Sequence, residues 1–156
     1  MAVSLTLIEY LEWEGVDYEL IEHKYTQNSL QTAEEARVPA EQLAKCVLLE
    51  DENDYLMAVI PANHRVELSA LDHQLDRELE LASESELTSL FSDCETGAIP
   101  PMGQAYGYEV IIDDSLKDCR DIYFEAGDHR DLVHLNGVDF NSLMAGVQHG
   151  HFSYPV

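Results

Sequence analysis

The stretch Gly97-Ala98-Ile99-Pro100-Pro101-Met102-Gly103 carries two glycines and two adjacent prolines between a polar run and an apolar one. Glycine reaches backbone conformations that other residues avoid, and proline fixes φ and removes an amide donor. The loop therefore has a set shape, and its carbonyls have few N–H partners nearby. We predict that it forms one wall of a small-molecule pocket and that Lys45 stands on another. The alternative is a structural loop with a stiff corner.

Lys45 is one of only eight Lys and Arg residues in the chain, and it immediately precedes the apolar run Cys46–Leu49. An ammonium is a compact cation that binds a phosphate or hydroxyl and stabilises a developing oxyanion. The alternative is an edge-strand lysine that keeps its strand soluble. The residue types alone leave both interpretations open.

Other chemical patterns in the sequence are weak. No Ser-His-Asp or Cys-His set is recognisable, and Cys46 is interpreted as strand packing. Asp113 and Asp114 are adjacent carboxylates at a strand end, a pattern that favours a helix cap. His149 and His151 offer only two ligands near the end of the chain, so a solvated end is favoured over a metal site. We therefore predict no metal site.

The charge is strongly unbalanced, because 31 acidic residues face eight basic ones for a formal net charge of −23. Such a surface repels polyanions and keeps a protein soluble. It argues against broad binding of DNA or RNA, which relies on clustered cations. Adaptation to salt, or a surface that docks a basic partner, would also explain it.

Targeting signals are absent from the sequence. No apolar run approaches the ~20 residues of a membrane span, and the first residues lack the basic and apolar regions of a signal peptide. The three cysteines are scattered, which indicates reduced thiols. These features predict a cytoplasmic protein that does not bind membranes.

The elements that position the candidate residues follow from periodicity and caps. The runs Cys46–Leu49 and Leu56–Ile60 flank an acidic turn and predict a buried hairpin. Ser4 is a plausible N-cap, and the sequence predicts two capping boxes, Thr32–Glu35 and Ser83–Glu86. Further strands are predicted at 18–22, 78–81, 110–112, 122–124 and 132–135, and further helices over 5–11, 70–75 and 138–145.

These elements predict one domain over residues 1–156, with a core at about 5–146 and a loose tail at 148–156. Six to eight short strands alternate with four or five short helices. This irregular alternation predicts an α+β or mixed α/β class around a sheet.

Several stretches together resemble the YbaK / prolyl-tRNA-synthetase-associated editing domain family. The resemblance is sharpest at Leu43-Ala-Lys45-Cys-Val-Leu-Leu49, like the family's lysine before a core strand, and at Gly97–Pro101, like its Gly-x-x-x-Pro loop. The other matching stretches, in the same order, are Tyr18–His23, Thr32–Ala36, Val110–Asp113 and Phe124–Gly127. The resemblance covers roughly residues 5–146.

The resemblance implies a barrel-like mixed sheet and hydrolysis of amino acids wrongly attached to tRNA, in trans or in company with a synthetase. It implies no metal or organic cofactor. It places Lys45 against the terminal adenosine or its phosphate and makes the carbonyls of Gly97–Pro101 the partners of the substrate's α-amino group.

The same resemblance implies roles for three more side chains. His129 lies where some members carry a histidine that limits the size of the pocket, and His134 competes for that role. His23 borders the adenosine site by the same analogy. Tyr18 could stack on a base, although a strand tyrosine is more often part of the core.

The leading hypothesis is a deacylase that acts on the acceptor end of mischarged tRNA and removes a small amino acid such as alanine, cysteine or serine. The alternatives are a non-catalytic acidic binding module with the same fold, and a hydrolase of a smaller aminoacyl or nucleotide ester. Two features depart from the family: the surface is poor in basic residues, and Pro100 beside Pro101 stiffens the loop.

Overall fold

Two apolar runs at the centre of the chain form an antiparallel hairpin, as the sequence predicts. Strand β2 (Ala44–Glu50) pairs with β3 (Tyr55–Pro61), and the acidic segment between them makes the turn. Nearly all of β3 is buried, because other elements cover both of its faces. The computed structural model describes residues 2–156.

The other helices and strands are short, and no helix among residues 2–156 has the length and apolar character of a membrane span. In chain order they are α1 (Leu5–Glu14), β1 (Glu19–Glu22), α2 (Ser29–Ala36), β4 (His64–Val66), α3 (Leu68–Leu75), β5 (Glu80–Leu81), α4 (Glu84–Leu90), β6 (Glu109–Asp113), β7 (Asp121–Glu125), β8 (Asp131–Asn136), α5 (Gly137–Leu143), β9 (Gln148–Gly150) and β10 (Ser153–Pro155). Short 3-10 helices occupy Ala40–Gln42, Gly103–Tyr106 and Asp114–Leu116.

The strands form a five-stranded sheet in the order β5-β2-β3-β6-β9, a three-stranded sheet in the order β1-β8-β7, and the pair β4-β10. β6 runs parallel to β3 and β9, and the other pairs are antiparallel. A single parallel bridge joins Leu43, just before β2, to Tyr123 of β7. The predicted mixed α/β class is confirmed, whereas no closed barrel is found among residues 2–156.

The five-stranded sheet separates two clusters of buried side chains. Met57 and Val59 of β3 face the larger cluster, to which α1 and α5 contribute. Ala58 and Ile60 face the smaller one, which α3 covers. Because β3 is apolar on both faces, the continuous apolar run in the sequence follows directly from its central position.

Local caps set two helix starts where the sequence predicts them. The hydroxyl of Ser4 accepts a hydrogen bond from the Leu7 amide at 3.1 Å, and Gly15 ends α1 in the left-handed region at φ 70°. Ser83 and Glu86 form the predicted capping box at the start of α4. Each satisfies backbone groups that a helix end would otherwise leave without a partner.

The predicted capping box at Thr32 is wrong. Helix α2 begins after Asn28, whose side chain accepts from the Gln31 amide at 3.0 Å. Asn caps as well as Thr does, so the helix starts about one turn earlier than expected. Thr32 therefore lies inside the helix, where its hydroxyl donates to the carboxylate of Glu125 at 2.8 Å.

The loose tail predicted for residues 148–156 is also wrong, and so is the core boundary near residue 146. β9 pairs with β6, and β10 pairs with β4. Phe152, between them, is 1% exposed, and its amide donates to the Asp113 carboxylate at 2.9 Å. The segment is ordered by strands distant in sequence, which local patterns do not reveal.

Asp93 ties helix α1 to the rest of the chain. Its carboxylate accepts hydrogen bonds from the Ser4 hydroxyl at 2.8 Å, the Tyr106 hydroxyl at 2.8 Å and the Thr6 amide at 3.2 Å. Burial alone would raise the pKa of Asp93, but the hydrogen bonds from Tyr106, Thr6 and Ser4 lower this pKa to about 2. The network therefore stabilises the fold through an ionised carboxylate.

We expect Asp93→Asn to lower the free energy of unfolding at neutral pH by roughly 1–2 kcal/mol. A carboxyl with a depressed folded-state pKa contributes stability above its unfolded pKa of ~3.9 and loses it as the pH falls towards the folded value. Thermal unfolding of both proteins across this range measures the effect. The difference in Tm should shrink in acid, and a difference independent of pH would contradict the assignment.

Candidate functional site

The bridge between Leu43 and Tyr123 sets the relative position of two charged residues. Both bridged residues belong to a third buried cluster, which lies between the five-stranded and three-stranded sheets. Side chains two residues further along a strand point to the same side. Lys45 of β2 and Glu125 of β7 therefore emerge on the same side of two neighbouring parallel segments.

A cavity of about 470 Å³ opens at this point. Lys45 and Glu125 line it together with Gly97 and Ile99 of the Gly/Pro loop. The remaining walls come from the start of α2, most of β2, the residue after β3, the end of β5 and one residue of α4. The structure thus brings Lys45 and part of the loop to one cavity.

Only part of the loop reaches the cavity. Ala98, Pro100 and Pro101 are buried and are not among the lining residues. The carbonyl of Ile99 accepts from the Cys46 thiol at 3.4 Å. Of the two loop residues that line the cavity, Gly97 is the one whose carbonyl accepts no hydrogen bond among residues 2–156.

Lys45 is half-buried, and its ammonium donates to the carbonyl of Ala62 at 3.1 Å. Burial, and to a lesser extent the positive charge of Arg65, lowers the pKa of Lys45 below its usual value. The single protein acceptor leaves two N–H donors for a ligand. A cation in this position is held in place but is incompletely solvated, which strengthens its attraction for an anion.

His129 supports the loop from behind. It is 2% exposed and left-handed at φ 59°, and its Nε2 donates to the carbonyl of Thr96 at 2.7 Å. Its ring packs against Gly97, but it is not among the residues that line the cavity. His129 therefore contacts the loop rather than the cavity in this structure.

His134 and Tyr18 lie away from the cavity lining. His134 stacks on Tyr123 and bonds the carboxylates of Glu19 and Asp121 on the three-stranded sheet. Burial would lower the pKa of His134, but these two carboxylates raise it above its usual value. Tyr18 packs at the edge of the larger core cluster.

His23 contacts the site through Glu125. Its side chain is 0% exposed, and its Nε2 lies 3.6 Å from Oε1 of Glu125. Burial would lower the pKa of His23, but Glu125 and the carbonyl of Lys24 raise it above its usual value. The predicted residue is therefore next to a lining carboxylate without being a lining residue itself.

Glu125 and Thr32 are the site residues that the sequence analysis missed. Phe124–Gly127 supported the resemblance only by its position along the chain, with no role predicted for Glu125. Thr32 was interpreted as a helix cap. The available signal was a single charged residue directly after the apolar strand residues Ile122–Phe124. A carboxylate that is 4% exposed at that position requires a polar partner, which a site can provide.

The residues His149 and His151 both approach the Asp114 carboxylate, at 3.4 and 3.5 Å. Among residues 2–156, no group of three or more His, Cys, Asp or Glu side chains is arranged to hold a metal ion. Asp113 caps the following 3-10 helix by accepting from the Ser115 amide at 3.0 Å, as predicted.

The fold is a mixed α/β domain in which a lysine and a glycine of the Gly/Pro loop line one cavity. The sequence matches the family model of the aminoacyl-tRNA editing domain over residues 23–143. The chain therefore belongs to the aminoacyl-tRNA editing domain family, and the resemblance predicted from the sequence is confirmed.

Solved structures share this fold at low sequence identity. A hypothetical protein matches with a TM-score of 0.84 and 17% identity, over 96% of this chain and 99% of that one. A protein proposed to be a trans-editing enzyme for prolyl tRNA synthetase matches with a TM-score of 0.83 and 18% identity, over 97% and 96%. A proposed signal transduction protein from Marinobacter aquaeolei matches with a TM-score of 0.76 and 17% identity, over 97% of this chain and 31% of that one. No curated protein sequence matches the chain significantly.

We expect Gly97→Ala to lower Tm more than Gly107→Ala. Both glycines are left-handed, at φ 88° and 83°, so alanine costs about 1 kcal/mol at either position. At Gly97 the added Cβ would also lie 3.1 Å from the His129 ring, whereas at Gly107 it would meet nothing within 4 Å. The Gln27 carbonyl oxygen lies 3.3 Å from the same Cβ, so thermal unfolding of the two variants measures both contacts together, and equal losses would show that these neighbours move away at no cost.

Proposed function

We propose that the protein is an aminoacyl-tRNA deacylase that acts in trans and removes a small mischarged amino acid from the acceptor end of tRNA. The observation that carries the proposal is that Lys45 and Gly97 line one cavity of about 470 Å³ in a member of the editing domain family. A cation and a carbonyl at one cavity suit the two ends of an aminoacyl ester.

The reaction is hydrolysis of the ester between the amino acid and the ribose of the terminal adenosine. Water adds to the ester carbonyl carbon, the bond to the ribose oxygen breaks, and the products are a free amino acid and a free ribose hydroxyl. Lys45 binds the adenosine end and stabilises the negative charge that develops on the carbonyl oxygen. The Gly97 carbonyl accepts from the α-ammonium.

Cys46 is not a nucleophile in this scheme. Burial raises the pKa of its thiol to about 12, so the reactive thiolate is scarce at neutral pH. The thiol instead donates to the carbonyl of Ile99 at 3.4 Å. Cys46 therefore helps to fix the loop, and the attacking group is water.

The net charge of −23 limits how the protein meets tRNA. Long-range repulsion opposes contact with the body of the nucleic acid. We propose that contact is confined to the acceptor end near Lys45, with a partner synthetase as an additional source of tRNA affinity. Raising the salt concentration should then lower the rate of deacylation by less than it lowers the RNA affinity of a basic RNA-binding protein.

A deacylation panel tests the proposal. Intact tRNAs mischarged with alanine, cysteine or serine are incubated with the wild-type protein, beside the same tRNAs carrying their correct amino acids and beside aminoacyl-adenosine. Hydrolysis of at least one mischarged tRNA, faster than of the correct ones, supports the function. Hydrolysis of aminoacyl-adenosine alone would assign a smaller ester as substrate, and no hydrolysis at all would leave a binding module.

A further inference from the structure

The carboxylate of Glu125 is buried with one oxygen unused. The residue is 4% exposed and lines the cavity. Its Oε1 accepts from the Thr32 hydroxyl at 2.8 Å, whereas Oε2 has no hydrogen-bond partner among residues 2–156. Oε2 is itself buried, and leaving a carboxylate oxygen unpaired is costly, so a cation that enters the cavity and reaches Oε2 would gain a strong hydrogen bond.

A chain of hydroxyl groups holds this carboxylate in place. Thr26 and Thr32 are both buried, and their hydroxyl oxygens lie 2.6 Å apart. A carboxylate only accepts, so Thr32 donates to Glu125 and Thr26 in turn donates to Thr32. Thr32 lies within helix α2, and Thr26 lies just before the helix begins. The charged group is therefore positioned before any ligand arrives.

His23 does not complete the carboxylate. Its Nδ1 lies 2.7 Å from the carbonyl of Lys24, and a carbonyl only accepts, so Nδ1 carries the proton of the neutral ring. Nε2 of the neutral ring has no proton to donate to Oε1 of Glu125, which lies 3.6 Å away, whereas the protonated ring, which Glu125 favours, forms an ion pair with that oxygen. Even when His23 is protonated, this separation exceeds a normal hydrogen bond and involves the oxygen that Thr32 already occupies.

We propose that Glu125 binds the α-ammonium of the aminoacyl group and makes a free α-amino group a requirement of the substrate. The inference rests on the proposed deacylase function and extends it. Lys45 and Glu125 emerge on the same side of neighbouring parallel segments and line one cavity. An aminoacyl-adenosine ester carries its ammonium on the α-carbon and its phosphate on the adenosine side, so a carboxylate for the first and a cation for the second fix its direction in the cavity.

The test compares substrates that differ only in the α-amino group. The fastest mischarged tRNA of the panel is paired with its α-hydroxy analogue: lactyl for alanyl, glyceryl for seryl, or mercaptolactyl for cysteinyl. We expect the wild type to favour the amino form, and Glu125→Gln to lower that preference in kcat/KM about 10- to 100-fold, mainly through KM. Gln keeps the oxygen that accepts from Thr32 but lacks the charge.

Two controls separate charge recognition from a structural role. Glu52→Gln removes the same charge from an exposed position in the hairpin turn and should leave the preference unchanged. Thr32→Val removes the hydrogen bond to Oε1 but keeps the carboxylate, so it should retain more of the preference than Glu125→Gln does. Circular dichroism shows whether each variant is folded.

A second measurement needs only the wild-type protein. A non-hydrolysable amide of the same amino acid with adenosine should inhibit deacylation, and its N-acetyl derivative should inhibit at least about tenfold less. Equal inhibition, or an unchanged preference in folded Glu125→Gln, would overturn the inference while deacylation itself stands. If the wild type hydrolyses no member of the panel, the proposed function fails and the inference falls with it.

Discussion

Replacing Lys45 by alanine should lower kcat/KM for deacylation about 100-fold or more, the usual effect of removing a preorganised group that stabilises an oxyanion. Lys45 is the cation at the cavity, and its ammonium is already held by the Ala62 carbonyl at 3.1 Å. No other Lys or Arg lines the cavity among residues 2–156. Single-turnover deacylation of mischarged tRNA measures the change.

The matched control is Lys117→Ala, which removes the same charge from an exposed lysine and should leave kcat/KM within about twofold.

The stability of the variant Lys45→Met should move in the opposite direction to its activity. Because the folded-state pKa of Lys45 is lowered by burial, its charged form is disfavoured by folding. Lys45→Met should therefore raise Tm slightly while abolishing activity, and a Lys45 variant with wild-type activity would remove this residue from the mechanism.

Replacing Gly137 by alanine should lower the free energy of unfolding by about 3 kcal/mol or more. Gly137 begins α5, and its amide donates to the Arg120 carbonyl at 2.7 Å. An added Cβ would lie 2.0 Å from the carbonyl oxygen of Cys119. Because that atom belongs to the backbone, relief requires α5 to move away from the segment that leads into β7.

Gly146→Ala is the control for Gly137→Ala, since a Cβ at Gly146 would meet nothing within 4 Å. Its Tm should stay close to that of the wild type, because neither contact nor left-handed strain applies. Urea unfolding of the three proteins gives the two differences directly. If Gly137→Ala loses less than about 1 kcal/mol, the close contact between α5 and the Cys119 backbone does not exist in solution.

Local patterns predicted the parts of the fold that local interactions determine. The β2–β3 hairpin depends on two adjacent apolar runs and the turn between them, and α4 depends on the capping box at Ser83. β9 and β10 depend instead on partners far away in sequence. Their few residues carry no periodic pattern, so the sequence offered no reason to order them.

The residues of the candidate site divide in the same way, into those that local sequence predicts and those that depend on distant contacts. Lys45 and Gly97 stood out because a rare cation and a Gly/Pro loop are visible as residue types. Glu125 did not, because the sequence does not distinguish it from the others among the 31 Asp and Glu residues. Only the structure shows that its side chain is buried. That Glu125 lines the same cavity as Lys45 depends on the bridge between Leu43 and Tyr123, a contact between residues separated by about half of the chain.

The pairing of strands β9 and β10 has a consequence for folding of the protein during its synthesis on the ribosome. Both strands follow β6 and β4 in the chain, and until they are synthesised β6 presents an unpaired edge and the place of Phe152 in the core is empty. An open edge of this kind readily pairs with the same edge of another nascent chain. Glu109 at the start of β6 and the net charge of −23 oppose that pairing by repulsion. The acidity that would limit contact with tRNA in the proposed function thus also protects the chain while its sheet is incomplete.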